Sequence, residues 1–207
     1  MNNSFERIWL SHIPYQSKVD LYENLYLQAI IDSYQHIDKS IGKEEKIRDR
    51  FYYDLTHRNP LTKKWVDLEY LDIRFEKWKM DVEKSKSRVD LSFFWSGFGH
   101  FEIECKRLFQ QDSKNEAYLN EGLIRFIELK YAEKNEYAGM IGFVVSGDIN
   151  IIQNKLSENA SQFHSVTETE STIKDFSYKH SFVSHHQKMN HDKLKVYHLF
   201  FHFANND

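Results

Sequence analysis

Cysteine is nearly absent: the chain of 207 residues carries one, Cys105, so no disulfide can form within it. A disulfide scaffold is excluded, and a reducing compartment, the cytoplasm, is expected. Two prolines and seven glycines leave little material for flexible linkers, and at this length a single domain over residues 1–207 is expected. No apolar run approaches the ~20 residues that span a bilayer as a helix. The opening "MNNSFERIWLSHIP" lacks the basic-then-apolar order of a secretion signal. Positive charge is not in excess: 28 Lys+Arg face 31 Asp+Glu, a net charge of -3. Nucleic-acid binding is therefore not announced by overall charge. Basic residues cluster only locally, as in "KKW" at 63 to 65 and "EKSKSRVD" at 83 to 90. A Walker loop, a dinucleotide fingerprint and a zinc finger are all missing, and Gly97-Phe98-Gly99 is too short to cradle a nucleotide.

What is present is ample core material, with 41% hydrophobic and 15% aromatic residues. Leu21, Leu25, Ile30, Ile31 and Tyr34 recur at helical spacing across residues 19 to 40, and Gly42 ends that stretch. Ile47, Phe51 and Leu55 form one stripe of a second helix over 43 to 55, closed by "HRNP". Leu71, Ile73 and Phe75 alternate, which favours a strand within 65 to 80. Residues 88 to 96 and 100 to 108 predict a hairpin around "SGFG". A long helix is expected over 115 to 135, a buried strand over 138 to 147, and a helix over 148 to 163 capped by Asp148. "SVTETESTIKD" reads as loop, and "SYKHSFVSHH" and "KLKVYHLFFHF" as two last strands. The fold class expected is α/β: a mixed central sheet flanked by helices, with extra N-terminal helices and C-terminal strands.

The hairpin is chemically odd. Asp90 lies in an apolar strand, and Glu102, Glu104 and Lys106 share one face of the next, opposite Phe101, Ile103 and Cys105. A turn near Gly97 brings Asp90 beside Glu104, at the ~5 Å of cross-strand neighbours. Adjacent carboxylates raise each other's pKa, and a hard divalent cation relieves that repulsion, Mg²⁺ being held typically by one or two carboxylates with waters and phosphate oxygens. Lys106 is then placed to orient or deprotonate a water and to neutralise phosphate charge. Glu-x-Lys alone is common on solvated strand faces. Its apolar setting in "FEIECKRLF", the acid across a tight turn and an acidic helix upstream set this example apart.

These residues resemble the PD-(D/E)xK nuclease superfamily, with its restriction-endonuclease-like fold, over about residues 40 to 147. "RVDLSFF" matches the aspartate strand, with Val89 where a proline is usual, and "EIECKRL" matches the Glu-x-Lys strand. The resemblance implies Asp90, Glu104 and the Cys105 backbone carbonyl as ligands of Mg²⁺ or Mn²⁺, and Lys106 as the residue serving the nucleophilic water. A helical glutamate is also implied; Glu44 is preferred for its place on the buried stripe's side, with Glu45 and Asp49 left open. On the following helix Tyr118, Gly122 and Arg125 lie at i, i+4 and i+7. Gly122 permits close approach to the sheet, and Tyr118 and Arg125 are candidates to bind substrate. The implied activity is metal-dependent hydrolysis of phosphodiesters, with DNA favoured, in bacterial defence or mobile-element biology. Specificity would come from a homodimer or a partner subunit. The alternatives are a non-catalytic scaffold subunit, or a ribonuclease or nucleotide phosphodiesterase.

Of 11 histidines, five crowd residues 180 to 198. They lack cysteine co-ligands, and "SHHQKMNH" reads as an exposed turn, so no zinc site is expected there. His100 reads as a core or surface residue, Cys105 as a small buried one, and Glu102 as solvated.

Overall fold

The computed structural model describes residues 13–79, 87–171, 173 and 177–203. Residues 83 to 86 of the second basic cluster, and 172, 174 and 175 of the expected loop, lie outside the described residues.

Helix α1 is continuous through Lys18–Leu21, a π-helical stretch at Tyr22–Leu27, and Gln28–His36. Ser17 caps it by accepting from the Asp20 amide at 3.1 Å. Tyr22 and Tyr26 stack 5.5 Å apart and cover Phe101 and Phe93. Helix α2, Glu44–His57, buries the predicted stripe of Ile47, Phe51 and Leu55. The "NP" that ends α2 also starts a helix. Pro60 opens α3, Pro60–Asp67, where its missing N–H is no loss. Asn59 caps α3 and binds the Ala29 carbonyl at 2.9 Å, locking α3 to α1.

Among the described residues seven strands form one mixed sheet, in the order β1-β2-β3-β4-β7-β6-β5. These are β1 (Leu71–Lys79), β2 (Ser87–Trp95), β3 (Gly99–Leu108), β4 (Tyr137–Val144), β5 (Val166–Glu170), β6 (Ser181–Gln187) and β7 (Lys193–His202). β3, β4 and β7 are mutually parallel; the outer pairs are antiparallel. One core lies under α1–α3 and contains Phe93, Phe101, Ile103, Ile141, Phe143 and Phe201. The other lies under two later helices, α4 (Tyr118–Leu123 and Ile124–Ile127) and α5 (Ile149–Ser161), and contains Tyr118, Leu123, Phe126, Met140, Leu156 and Phe200. Being covered on both faces, β4 is apolar throughout and β7 is buried from Val196 to Phe201, which explains the imperfect alternation of "KLKVYHLFFHF". The C-terminal strands are not an appendage, since β7 sits beside β4 in the middle of the sheet.

Two expectations are corrected. The helix over 115 to 135 is short. α4 consists of a π-helical stretch, Tyr118–Leu123, and Ile124–Ile127, and the chain then turns back through Leu129 and Ala132 at φ 63° and 47°. Tertiary partners stop it: the Ile127 carbonyl accepts from the Met189 amide at 3.1 Å, and buried Glu102 and Lys188 hold the turned-back segment. Residues 166–170 form edge strand β5 rather than loop, because β6 offers them a partner. Helix α5, Ile149–Ser161, starts at Asp148 as predicted, the carboxylate accepting from the Asn150 amide at 2.7 Å.

Candidate active site

The β2–β3 hairpin turns through Gly97 and Gly99, both at positive φ (93° and 82°), which glycine adopts without strain. From there it zips in register to Leu91↔Ile103, where the ladder stops. β3 runs on beside β4 as far as Leu108, so its other edge is left without a strand. The amides of Cys105 and Arg107 point to that edge and need acceptors. Two carboxylates supply them. Asp90 Oδ2 accepts from the Cys105 amide at 2.8 Å, and Glu44 Oε2 from the Arg107 amide at 2.9 Å. Asp90 and Glu44 thus cap a split in the sheet, about two residues or ~7 Å apart along β3. Of the three acids left open on α2, the structure brings Glu44 to the site; Glu45 and Asp49 are exposed.

Asp90 is buried, and its other oxygen forms an ion pair with Arg48 Nη1, also buried. Arg48 lies on α2 with its guanidinium 5.6 Å from the Phe75 ring. Sequence reasoning missed it. The available signal was a cation next to the buried Ile47 stripe, since buried charges are paired.

Glu104 occupies the opposite face of β3 from Ile103 and is fully buried. Its Oε1 accepts from Lys106 Nζ and Arg125 Nη1, each at 2.6 Å, while Oε2 has no hydrogen-bond partner among the described residues. Burial pushes its pKa up to about 7; the negative charge of Asp90 adds to this, and Lys106 and Arg125 oppose it. The Lys106 and Arg125 side chains remain 17% and 35% exposed, so they form the mouth of the site. Gly122 lets α4 sit this close: a Cβ there would stand 2.6 Å from Met140 Cε and 3.6 Å from Glu104 Cγ.

Three further expectations change. Tyr118 does not face a substrate. It is fully buried, and its hydroxyl meets His198 Nδ1 at 3.0 Å. Arg125, from the same helix, does reach Glu104. Glu102 is not solvated; it is buried and accepts from the Ala132 amide. The histidines of 180 to 198 are not all on a turn: His186 and His198 are buried in β6 and β7, joined through Ser184 Oγ at 2.7 and 2.8 Å. Cys105 packs in the α1–α3 core as read, with burial pushing its thiol pKa well up. His100 is half-buried, 3.2 Å from Ser92 Oγ and against Phe94.

Among the described residues no three His, Cys, Asp or Glu side chains are arranged to hold a metal. The donor set here is a pair of carboxylates, and Mg²⁺ needs no more when waters and phosphate oxygens complete its shell. The hard oxygens of Asp90 and Glu104 suit such an ion, and Glu104 Oε2 has no protein donor to displace. Asp90 differs, because Arg48 and the Cys105 amide already engage its two oxygens. Comparison with protein-family models, with curated proteins and with solved structures gives no match to this chain.

Proposed function

We propose that the protein is a Mg²⁺- or Mn²⁺-dependent nuclease of the PD-(D/E)xK type with a restriction-endonuclease-like fold, and that DNA is its favoured substrate. One observation carries the reading: Asp90 accepts from the Cys105 amide, next to Glu104, where β2 leaves β3, with Lys106 on Glu104 Oε1 and Glu104 Oε2 free of any donor among the described residues. An acidic helix, an aspartate strand, a Glu-x-Lys strand and a helix bearing a cation stand in the order that the resemblance implies.

Asp90, Glu104 and the Cys105 carbonyl would hold the metal. When bound, the ion would polarise a phosphoryl oxygen and lower the pKa of a coordinated water. Lys106, partly exposed beside Glu104, orients the attacking water and balances charge on the phosphate. Arg125 binds the substrate phosphate from the helix side, where guanidinium geometry suits two oxygens. Glu44 holds the end of β3 in place by its bond to the Arg107 amide and is the auxiliary acid.

The test is cleavage of double-stranded DNA, single-stranded DNA and RNA with Mg²⁺ and with EDTA. Cleavage is expected to need the metal and to vanish in Glu104→Ala and in Lys106→Ala. Activity that survives in both variants sinks the assignment. A second reading, a scaffold subunit without catalysis, draws on Arg48 and Arg125, which pair with the two acids as fixed counter-ions would. Calorimetry separates the two: a scaffold binds no Mg²⁺ at these acids, and a nuclease does.

A further inference from the structure

After α4 the chain turns back through two non-glycine residues in the left-handed region, Leu129 (φ 63°) and Ala132 (φ 47°). L-residues rarely adopt this conformation, and it persists where surrounding contacts enforce it. Two buried charges hold the second of these, Ala132, and the residues that follow it. Glu102, 1% exposed, accepts from the Ala132 amide. Lys188, 2% exposed, donates to the carbonyls of Ala132, Glu133 and Asn135 at 3.2, 2.8 and 3.1 Å. An ammonium has three N–H donors, so these bonds use its full capacity. Burying a carboxylate and an ammonium is a costly way to close a loop that apolar side chains could close.

What the loop presents accounts for the cost. Tyr131, next to Ala132, is 1% exposed and sets its hydroxyl 3.1 Å from Arg125 Nη1. The Arg125 guanidinium lies 5.6 Å from the Tyr131 ring, and the same Nη1 reaches Glu104 Oε1 at 2.6 Å. A path of direct contacts therefore runs from the turn after β6 to the acid pair.

We infer that Lys188 and Glu102 are positioning residues which, through Ala132 and Tyr131, hold Arg125 against Glu104 at the mouth of the site. The inference rests on the nuclease reading for its consequence in catalysis, and on the contacts alone for its geometry. The C-terminal segment, outside the stretch that carries the resemblance, is then part of the support of the active site.

The experiment combines activity with hydrogen exchange. Lys188→Met, Glu102→Ala and Tyr131→Phe are each expected to lower cleavage about 10- to 100-fold, the usual range for residues that orient an active group. Glu102→Gln, which keeps an acceptor for the Ala132 amide, is expected to retain most activity. In an Arg125→Ala background none of these changes should lower activity further, since they act through Arg125. Losses that add to that of Arg125→Ala, or full activity in folded Lys188→Met, overturn the inference. Should Lys188→Met fail to fold, Glu102→Ala against Glu102→Gln, which removes or keeps the acceptor of the Ala132 amide, decides the same point, and Tyr131→Phe, which deletes one hydroxyl, tests the last link to Arg125. Amide exchange at 130–132 and exchange of the Arg125 guanidinium are expected to quicken in Lys188→Met. If the wild-type protein cleaves nothing, the nuclease reading falls, and the exchange data still decide the geometry: unchanged rates in Lys188→Met refute it.

Discussion

Glu104 binds its proton more tightly than an ordinary glutamate even with two cations beside it, because burial and Asp90 outweigh Lys106 and Arg125. The consequence for stability has a definite sign. Between the usual 4.5 and about 7 the unfolded chain releases a proton that folded Glu104 keeps, so the contribution of Glu104 to stability falls as pH rises through that window. Glu104→Gln is thus expected to melt above the wild type at about pH 8 and to lose that advantage below the unfolded pKa, as scanning calorimetry at both pH values will show. Arg48 makes the converse case. Its removal leaves Asp90 buried with only the Cys105 amide, and Arg48→Met is expected to cost about 3–5 kcal/mol in urea unfolding. Most of that loss should return in Arg48→Met with Asp90→Asn. Full additivity of the two changes would show that the pair is not coupled.

At the level of elements, close approach is set by two glycines in unlike surroundings. A Cβ on Gly122 would press on the flexible end of Met140, whereas one on Gly142 of β4 would lie 2.4 Å from Leu108 Cδ1 and 2.7 Å from the Phe200 ring. Gly122→Ala is expected to stay within about 1 kcal/mol of the wild type, the gain in helix propensity offsetting the shift of Met140. Gly142→Ala is expected to lose about 1–3 kcal/mol by overpacking, measured in the same unfolding assay. The hairpin, α2 and β4 were legible because each obeys a local rule of turn chemistry, helical spacing or apolar run length. The truncation of α4 was not. Leu119, Leu123, Phe126 and Ile127 carry on a helical pattern, and what ends it comes from Glu102, Lys188 and Met189, which are distant in the chain.

Across the whole molecule, a buried polar chain runs from Tyr118 through His198, Ser184 and His186 to Ser165, with each link between 2.7 and 3.1 Å. Burial lowers the pKa of His186 to about 4, with His185 and His164 adding to the effect, and holds that of His198 well below the usual 6.5. Both are neutral in the folded state at pH 7. As pH falls below 6.5 the unfolded chain takes up protons that the folded chain does not, so the stabilising contribution of these two histidines drops between 6.5 and about 4, opposite in sign to that of Glu104 over the overlapping range. His186 alone contributes roughly 3 kcal/mol to this acid limb. Urea unfolding of the wild type and of His186→Gln across that range is expected to show it as a difference, the wild type losing more stability than the variant as pH falls; an equal pH dependence in the two proteins would refute the assignment.

The reach of the linear chain differs for the two halves of the site. Asp90, Glu104 and Lys106 were readable because a two-residue period and one tight turn place them together without help from the rest of the chain. The choice of Glu44 over Glu45 and Asp49 needed the packing of α2 against the free edge of β3, where the Arg107 amide selects its acceptor. The inward turn of Tyr118 depends on His198, 80 residues away. The burial of Glu102 depends on a turned-back loop whose carbonyls accept from Lys188, far along the chain. Local periodicity determines which face of an element a side chain occupies. What covers that face is decided by elements far along the chain, and burial, partner and protonation follow from the cover.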